Sequence, residues 1–165
     1  MTELETYDHP DDFLPGAVGN PGSRVFYLQA REGHRVTTLR CEKEQVLALA
    51  QFLVRLVGAD GPTEPLAELI EPVDERFTVG NLLVSAEADD GSVVVVAEEL
   101  VIEDPDGPEG GGDAPAGREL RVRLSASSAR GFAQRAGRLL AASREVCELC
   151  GRPKDPEGHA CPRLN

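Results

Sequence analysis

Two segments of the chain carry apolar residues at the spacing of an amphipathic helix, and each follows a β-rich stretch. The first segment, residues 42–57, is apolar around most of its circumference, which predicts a largely buried helix. The second follows Ser125, a residue type that caps helices, and is predicted to run to about residue 143. Because each helix follows a run of strands and does not alternate with single strands, the pattern predicts an α+β fold with both helices on one face of an antiparallel sheet.

Five further segments have the β-branched, alternating composition of strands, namely residues 25–29, 36–40, 76–86, 92–101 and 119–124. The turn residues Glu32-Gly33 and Asp89-Asp90-Gly91 predict that the first four segments form two hairpins. We therefore expect an antiparallel sheet of about five strands with two helices on one face. Residues 58–72 are expected to connect the halves, with a short helical turn around Leu66–Ile70.

The two predicted helices share an apolar pattern at an offset of 83 residues. Apolar positions of the first helix coincide with apolar positions of the second, and Gln51 coincides with Gln134. This register indicates a duplicated strand-strand-helix unit. The alternative interpretation is that any two amphipathic helices that follow strands can be slid into phase.

Length and composition set the expected domain organisation. A chain of 165 residues with 41% hydrophobic residues suits one core and a small appendage, and 4% aromatics without tryptophan predict an aliphatic core. We expect an irregular N-terminal segment (1–23), an α+β body (24–145) with a mobile acidic loop (103–117), and a zinc-binding tail (146–165). Since no apolar run is long enough to span a membrane and no signal-peptide pattern is present, a cytoplasmic location is expected.

Four residues near the C-terminus have the types and spacing of a metal site: Cys147, Cys150, His159 and Cys161. Thiolate and imidazole ligands suit zinc, and four of them complete its tetrahedron, so the pattern predicts one structural zinc ion in a Cys3His site. Gly151 can adopt the positive φ of a tight turn after Cys150. The alternative for Cys147 and Cys150 is a redox or disulfide pair. Cys41 is expected to be a small buried thiol.

Three blocks of sequence carry a resemblance to a known family. The tail reads Cys-x-x-Cys-Gly-x-Pro from Cys147 and Gly-His-x-Cys-Pro-Arg from Gly158, and the blocks 13–31 and 71–80 agree with it. Together they resemble an uncharacterised actinobacterial family, domain of unknown function 3090. That family has no established activity, so the resemblance implies no catalytic residue. It implies only a pathway context, because genes of the family lie near those for a lipid-kinase-like protein and a histidine phosphatase.

Charge is segregated along the chain, whose net charge is −12. Residues 1–117 hold 7 basic and 24 acidic side chains, whereas residues 118–165 hold 10 basic and 5 acidic. A basic end can orient an anionic partner, or it can bind the acidic body of the same chain. The candidate contacts for an anion or a partner are six arginines: Arg24, Arg130, Arg135, Arg138, Arg152 and Arg163.

Simpler interpretations of these candidates stay open. Arg24 follows the Gly-rich stretch 16–22, which is either a phosphate-binding loop or a turn that leads into a strand. The arginines of the second helix are either an anion-binding face or a solvated one. His9 and His34 have no recognisable nucleophile partner in the sequence and are interpreted as surface histidines.

These observations support three hypotheses about function. The first is a non-enzymatic protein-interaction module that carries a structural zinc site, with a protein partner. The second is binding of nucleic acid or polyphosphate by the basic C-terminal third, which the negative net charge and the scarcity of aromatic residues disfavour. The third is an enzyme that acts on a phosphorylated small molecule, which the closed ligand set and the missing acid/base pair disfavour.

Overall fold

The computed structural model describes residues 2–102, 117–142, 147–152, 154 and 158–164. This part of the chain is an α+β structure, which confirms the predicted class. Its elements are β1 (Glu3–Tyr7), β2 (Asp12–Val18), β3 (Val25–Glu32), β4 (Arg35–Cys41), α1 (Lys43–Val57), β5 (Glu75–Ala86), β6 (Val93–Glu99), β7 (Arg118–Leu124) and α2 (Ala126–Ala141). The predicted acidic loop, 103–117, lies outside the described residues except for Gly117.

The strands form one mixed sheet in the order β1-β7-β6-β5-β4-β3-β2. The β1/β7 and β4/β5 pairs are parallel, and the other neighbouring pairs are antiparallel. The prediction of about five antiparallel strands was therefore wrong, whereas both predicted hairpins, β3/β4 and β5/β6, are confirmed. A connection through a helix returns the chain in the same direction, so β5 joins β4 in parallel after α1.

The two strands that the sequence did not predict lie in residues 1–23, which were expected to be irregular. β2 contains Pro15 and Gly16, residues that usually mark turns. A proline is tolerated there because β2 is an edge strand of the sheet. β1 is a short, charged edge strand, and its pairing partner β7 lies more than a hundred residues away in sequence, so no local pattern indicates it.

The order of elements repeats along the sheet. β2, β3 and β4 form an antiparallel meander that leads into α1, and β5, β6 and β7 form a second one that leads into α2. β5 then joins β4 in parallel in the way that β1 joins β7. A duplicated unit would give this topology, with three strands per unit instead of two, and the duplication itself remains a prediction.

The core lies between the sheet and the two helices, which also contact each other. Its fully buried side chains are mainly aliphatic, among them Leu28, Leu39, Leu49, Leu53, Leu120 and Leu124. Burial of each such leucine stabilises the fold by about 1.5–3 kcal/mol. Phe13 on β2 and Phe132 on α2 stack with their ring centroids 5.2 Å apart. In the described residues no helix is both long enough and apolar enough to cross a membrane.

Residues 58–74, which we call the strap, connect α1 to β5 without any helix, so the predicted turn at Leu66–Ile70 was wrong. Side chains of the body bind the strap backbone instead. Asp12 accepts a hydrogen bond from the Ala67 amide, and the Gln29 side chain bonds both the amide and the carbonyl of Ile70. These bonds replace those that a helical turn would make internally.

Candidate metal centre

The four predicted ligands converge at the C-terminal tail. The ligand atoms of Cys147, Cys150, His159 and Cys161 all lie within 4.8 Å of one another. The two sulfurs of Cys147 and Cys161 are 3.9 Å apart, and Cys150 Sγ is 3.1 Å from His159 Nε2. Sulfurs bound to one zinc ion at tetrahedral angles are separated by about 3.8 Å, so the spacing suits a single metal ion. The structure thus confirms a Cys3His cluster that can bind a metal.

A tight turn positions the first two ligands. The Gly151 amide donates to the Cys147 carbonyl at 2.8 Å, and the Cys147 amide donates to the Arg152 carbonyl at the same distance. Gly151 has a φ of 70°, the left-handed conformation that glycine adopts without steric cost. The positive φ of Gly151 agrees with the tight turn expected from the sequence, and the sulfurs of Cys147 and Cys150 lie within 4.8 Å of each other.

The same turn also lowers the pKa of Cys147. Hydrogen bonds from the backbone amides of Cys150 and Leu149 lower the pKa of the Cys147 thiol to about 6. A thiol with that pKa is largely thiolate at neutral pH, and the thiolate is the form that binds metals. Cys147 and Cys161 are buried, whereas Cys150 and His159 are half-buried.

The remaining cysteine has the opposite properties. Cys41 lies at the end of β4 and is 3% exposed. Burial, together with the charge of the neighbouring Glu42, raises the pKa of its thiol to about 12. Cys41 is therefore a protonated part of the core, which confirms the expectation of a small buried thiol.

Two of the three candidate arginines on α2 bind the strap. Arg130 donates to the carbonyls of Gly58 and Pro62 in the strap and to that of Val57 at the end of α1, and Arg135 donates to those of Leu66 and Ala67. Arg138 instead bonds Gln134 on its own helix. The sequence could not show this role, because the acceptors are backbone oxygens about seventy residues upstream.

The other three candidate arginines lie apart from that face. Arg24 donates to the Ala142 carbonyl at 3.1 Å and lies over the Phe26 ring, so it connects the start of β3 with the end of α2. Its Gly-rich neighbourhood is the turn between β2 and β3, since Gly19 and Gly22 both have positive φ. Arg152 and Arg163 are exposed residues of the tail, within two residues of Cys150 and Cys161 respectively.

Basic residues of β7 are paired with acidic residues of the preceding hairpin. Arg118 binds Glu99, Arg123 binds Asp90, and Arg121 lies 3.8 Å from Glu87. Hydrogen bonds from the Arg118 side chain and amide lower the pKa of Glu99. Part of the positive charge of the C-terminal third is thus matched within the sheet itself.

A polar cavity of about 500 Å³ lies where β1, β4, β5 and β7 meet. The Tyr7 hydroxyl, the Thr37 hydroxyl and the Glu5 carboxylate form a hydrogen-bonded chain in its wall, with steps of 2.7 and 2.5 Å. Its arginines already have carboxylate partners, since Arg76, for example, binds Glu3 and Glu5. His34 lies at this cavity, whereas Arg24, His9 and the four ligands do not. Sequence reasoning missed the cavity because pairing between distant strands creates it.

The fold and the site together define a class: an α+β protein with one mixed sheet, two helices and a four-ligand metal centre in a C-terminal tail. The chain belongs to the family described as a protein of unknown function (DUF3090), whose family model matches residues 5–161. No curated protein and no solved structure shows a significant match to it.

Proposed function

We propose that the tail binds one structural zinc ion and that the protein is a non-enzymatic protein-interaction module. Three sulfurs and one imidazole already lie within the distance that a single ion requires. Zinc favours this ligand set, and four protein ligands complete its tetrahedron without a position for substrate. Three thiolates against a divalent ion also leave the site negative, which makes the metal a poor activator of water.

The observation that carries the interaction role is the exposure of two leucines beside the ligands. Leu149 is 50% exposed and Leu164 is 73% exposed, and the Leu164 amide donates to the Cys161 carbonyl. Each leucine is thus fixed near a ligand while its side chain faces solvent. With Arg152 and Arg163 close by in sequence, the tail suits a protein partner that offers apolar and acidic groups.

The first test concerns the metal. Protein purified without chelators is expected to contain about one zinc ion per chain. Cobalt substitution is expected to give a tetrahedral thiolate spectrum that phosphate esters and nucleotides do not change. A compound that changes the spectrum and is turned over would show an open coordination position and would favour an enzyme.

The second test concerns the partner surface. Leu149→Glu and Leu164→Glu are expected to keep the metal but to lose a partner that is crosslinked to the wild-type protein in cells. Leu83→Glu is the matched control, because Leu83 is 54% exposed on β5 and lies outside the tail. Partner capture that both tail variants retain, or that the control also loses, would contradict the proposed surface.

The two alternative functions gain no specific support. Arg130 and Arg135, the centre of the proposed polyanion face, already donate to the strap. In the polar cavity, the Tyr7 and Thr37 hydroxyls are hydrogen-bonded to each other and Thr37 also bonds Glu5, while Arg76 is paired with carboxylates. A thiolate-rich metal site suits a reducing compartment, so the proposal places the protein in the cytoplasm.

A further inference from the structure

An apolar groove runs between the exposed sides of α1 and α2. Its floor consists of small residues, Ala50 on α1 and Ala133 and Gly137 on α2, and it encloses about 380 Å³. Leu47, Val54 and Leu140 form its apolar walls. Because the floor lacks bulky side chains, the groove can receive side chains from another helix at close approach.

The same face of α1 also presents a ridge. Leu47 and Val54 lie seven residues apart, so they project from α1 in nearly the same direction. Leu47 is 45% exposed and Val54 is partly exposed, although both are apolar. A face that carries both an apolar ridge and a groove with a floor of small residues is complementary to a second copy of itself.

Charge at the ends of α1 agrees with such pairing. Glu44 lies in the first turn of the helix and Arg55 in the last turn. If two copies of α1 pack antiparallel across a twofold axis near Ala50, Glu44 of each copy lies within one turn of Arg55 of the other. Leu47 of each copy then faces Val54 of the other. Antiparallel packing also aligns the helix dipoles favourably.

We propose that this face binds a second copy of the chain, so that the protein forms a symmetric dimer with antiparallel α1 helices. The face is as long as α1, whose 15 residues span about 22 Å. It is as wide as two helices, or about 20 Å. That footprint covers about 440 Å² on each copy, which is less than the roughly 800 Å² per partner of a stable specific interface, so the dimer is expected to be weak and to depend on concentration. This proposal uses no residue of the metal centre.

Sedimentation velocity of the full-length, metal-loaded protein tests the proposal. The mass is expected to rise toward twice the 17.7 kDa of the chain as the concentration increases through the micromolar range. Leu47→Asp is expected to keep the protein monomeric, because it places a charge on each ridge. Leu83→Asp is the matched control, since it adds the same charge at another exposed leucine.

Charge reversal tests the antiparallel arrangement itself. Glu44→Arg and Arg55→Glu each place like charges together twice per dimer, and each is expected to weaken the dimer about tenfold. The double variant exchanges the two charges and is expected to restore the wild-type dissociation constant. Circular dichroism of each variant checks that it is folded.

Three results would overturn the proposal: a wild-type protein that is monomeric throughout, a dimer that Leu47→Asp leaves intact, or a double variant that is as weak as the single ones. The first would leave the groove without the occupant assigned to it. The second would place the dimer interface elsewhere. The third would exclude antiparallel pairing of Glu44 with Arg55.

Discussion

The body and the tail of this protein are held together by different forces. In the body, leucines such as Leu39 and Leu53 are fully buried, and they stabilise the sheet and helices by their removal from water. In the described part of the tail, only the ligands Cys147 and Cys161 are buried, and the leucines face solvent. The described part of the tail therefore lacks a core of its own, and we expect its structure to depend on a metal ion bound by its four ligands.

Because of this contrast, we expect the two regions of the chain to be stabilised independently. Small segments that cannot bury enough apolar surface need a metal or a disulfide, and the tail cysteines form no disulfide and lie close to a histidine. The body has a connected apolar core, which contains none of the four ligands. Perturbations aimed at one region should therefore leave the other intact.

The largest expected effect is the loss of metal from the tail. Cys150→Ser removes one of four ligands, and structural zinc sites bind with about 10–16 kcal/mol of apparent free energy, so the affinity should fall by orders of magnitude. Elemental analysis and competition with a chelator measure the loss. The thermal unfolding of the body should stay unchanged, and a body that unfolds together with the tail would show that the two regions are coupled.

The next largest effect is a difference in thiol reactivity. With a pKa of about 12, the Cys41 thiol is ionised at pH 8 in roughly one molecule in ten thousand, and it is also buried. After chelation, the tail cysteines should be alkylated quickly while Cys41 stays unmodified. Mass spectrometry of the modified sites, with and without chelator, measures the difference. Rapid modification of Cys41 in folded protein would contradict its place in the core.

The raised pKa of Cys41 also predicts a pH dependence of the body. The ordinary value is 9.0, so the unfolded chain ionises this thiol before the folded chain does. The stability that Cys41 contributes is complete below about pH 9 and is lost as the pH rises toward about 12. Urea unfolding of Cys41→Ala should lack this part of the alkaline loss.

The third effect concerns the core of the body. Phe132 is fully buried and stacks on Phe13, so Phe132→Ala should lower the free energy of unfolding by about 3–5 kcal/mol. Urea unfolding measures the change. Metal content should remain at the wild-type level under conditions where the variant is folded. Phe52→Ala is the matched control, because Phe52 is half exposed, and its effect should be much smaller.

The difference between body and tail also explains which structural features could be predicted from the sequence. The ligands of the tail lie within fifteen residues, and α1 and α2 are continuous segments, so local patterns predicted them. β1 was missed because its partner β7 is distant and its own sequence is charged. The strap contacts of Arg130 and Arg135 were missed for a related reason, since every residue has a backbone carbonyl and the sequence does not show which carbonyls accept a hydrogen bond.

One glycine in α2 occupies a position that local sequence patterns do not explain. Gly131 lies within α2, where a glycine normally weakens a helix. The structure supplies the reason, because a Cβ atom at this position would lie 2.3 Å from the carbonyl oxygen of Glu64 in the strap. Gly131 thus lowers the intrinsic stability of α2 but allows the strap to approach the helix. The sequence alone does not show why a glycine is needed there.

The smallest expected effect probes the start of α2, the helix that precedes the tail. Ser125 caps this helix by accepting a hydrogen bond from the Ser128 amide at 3.1 Å. Ser125→Ala should lower the free energy of unfolding of the body by about 1 kcal/mol, whereas Ser125→Asp keeps a capping oxygen and should restore most of it. Urea unfolding measures both variants. If the tail folds independently of α2, neither variant changes its metal affinity. A metal affinity that falls together with the stability of α2 would show that the helix helps to position the ligands.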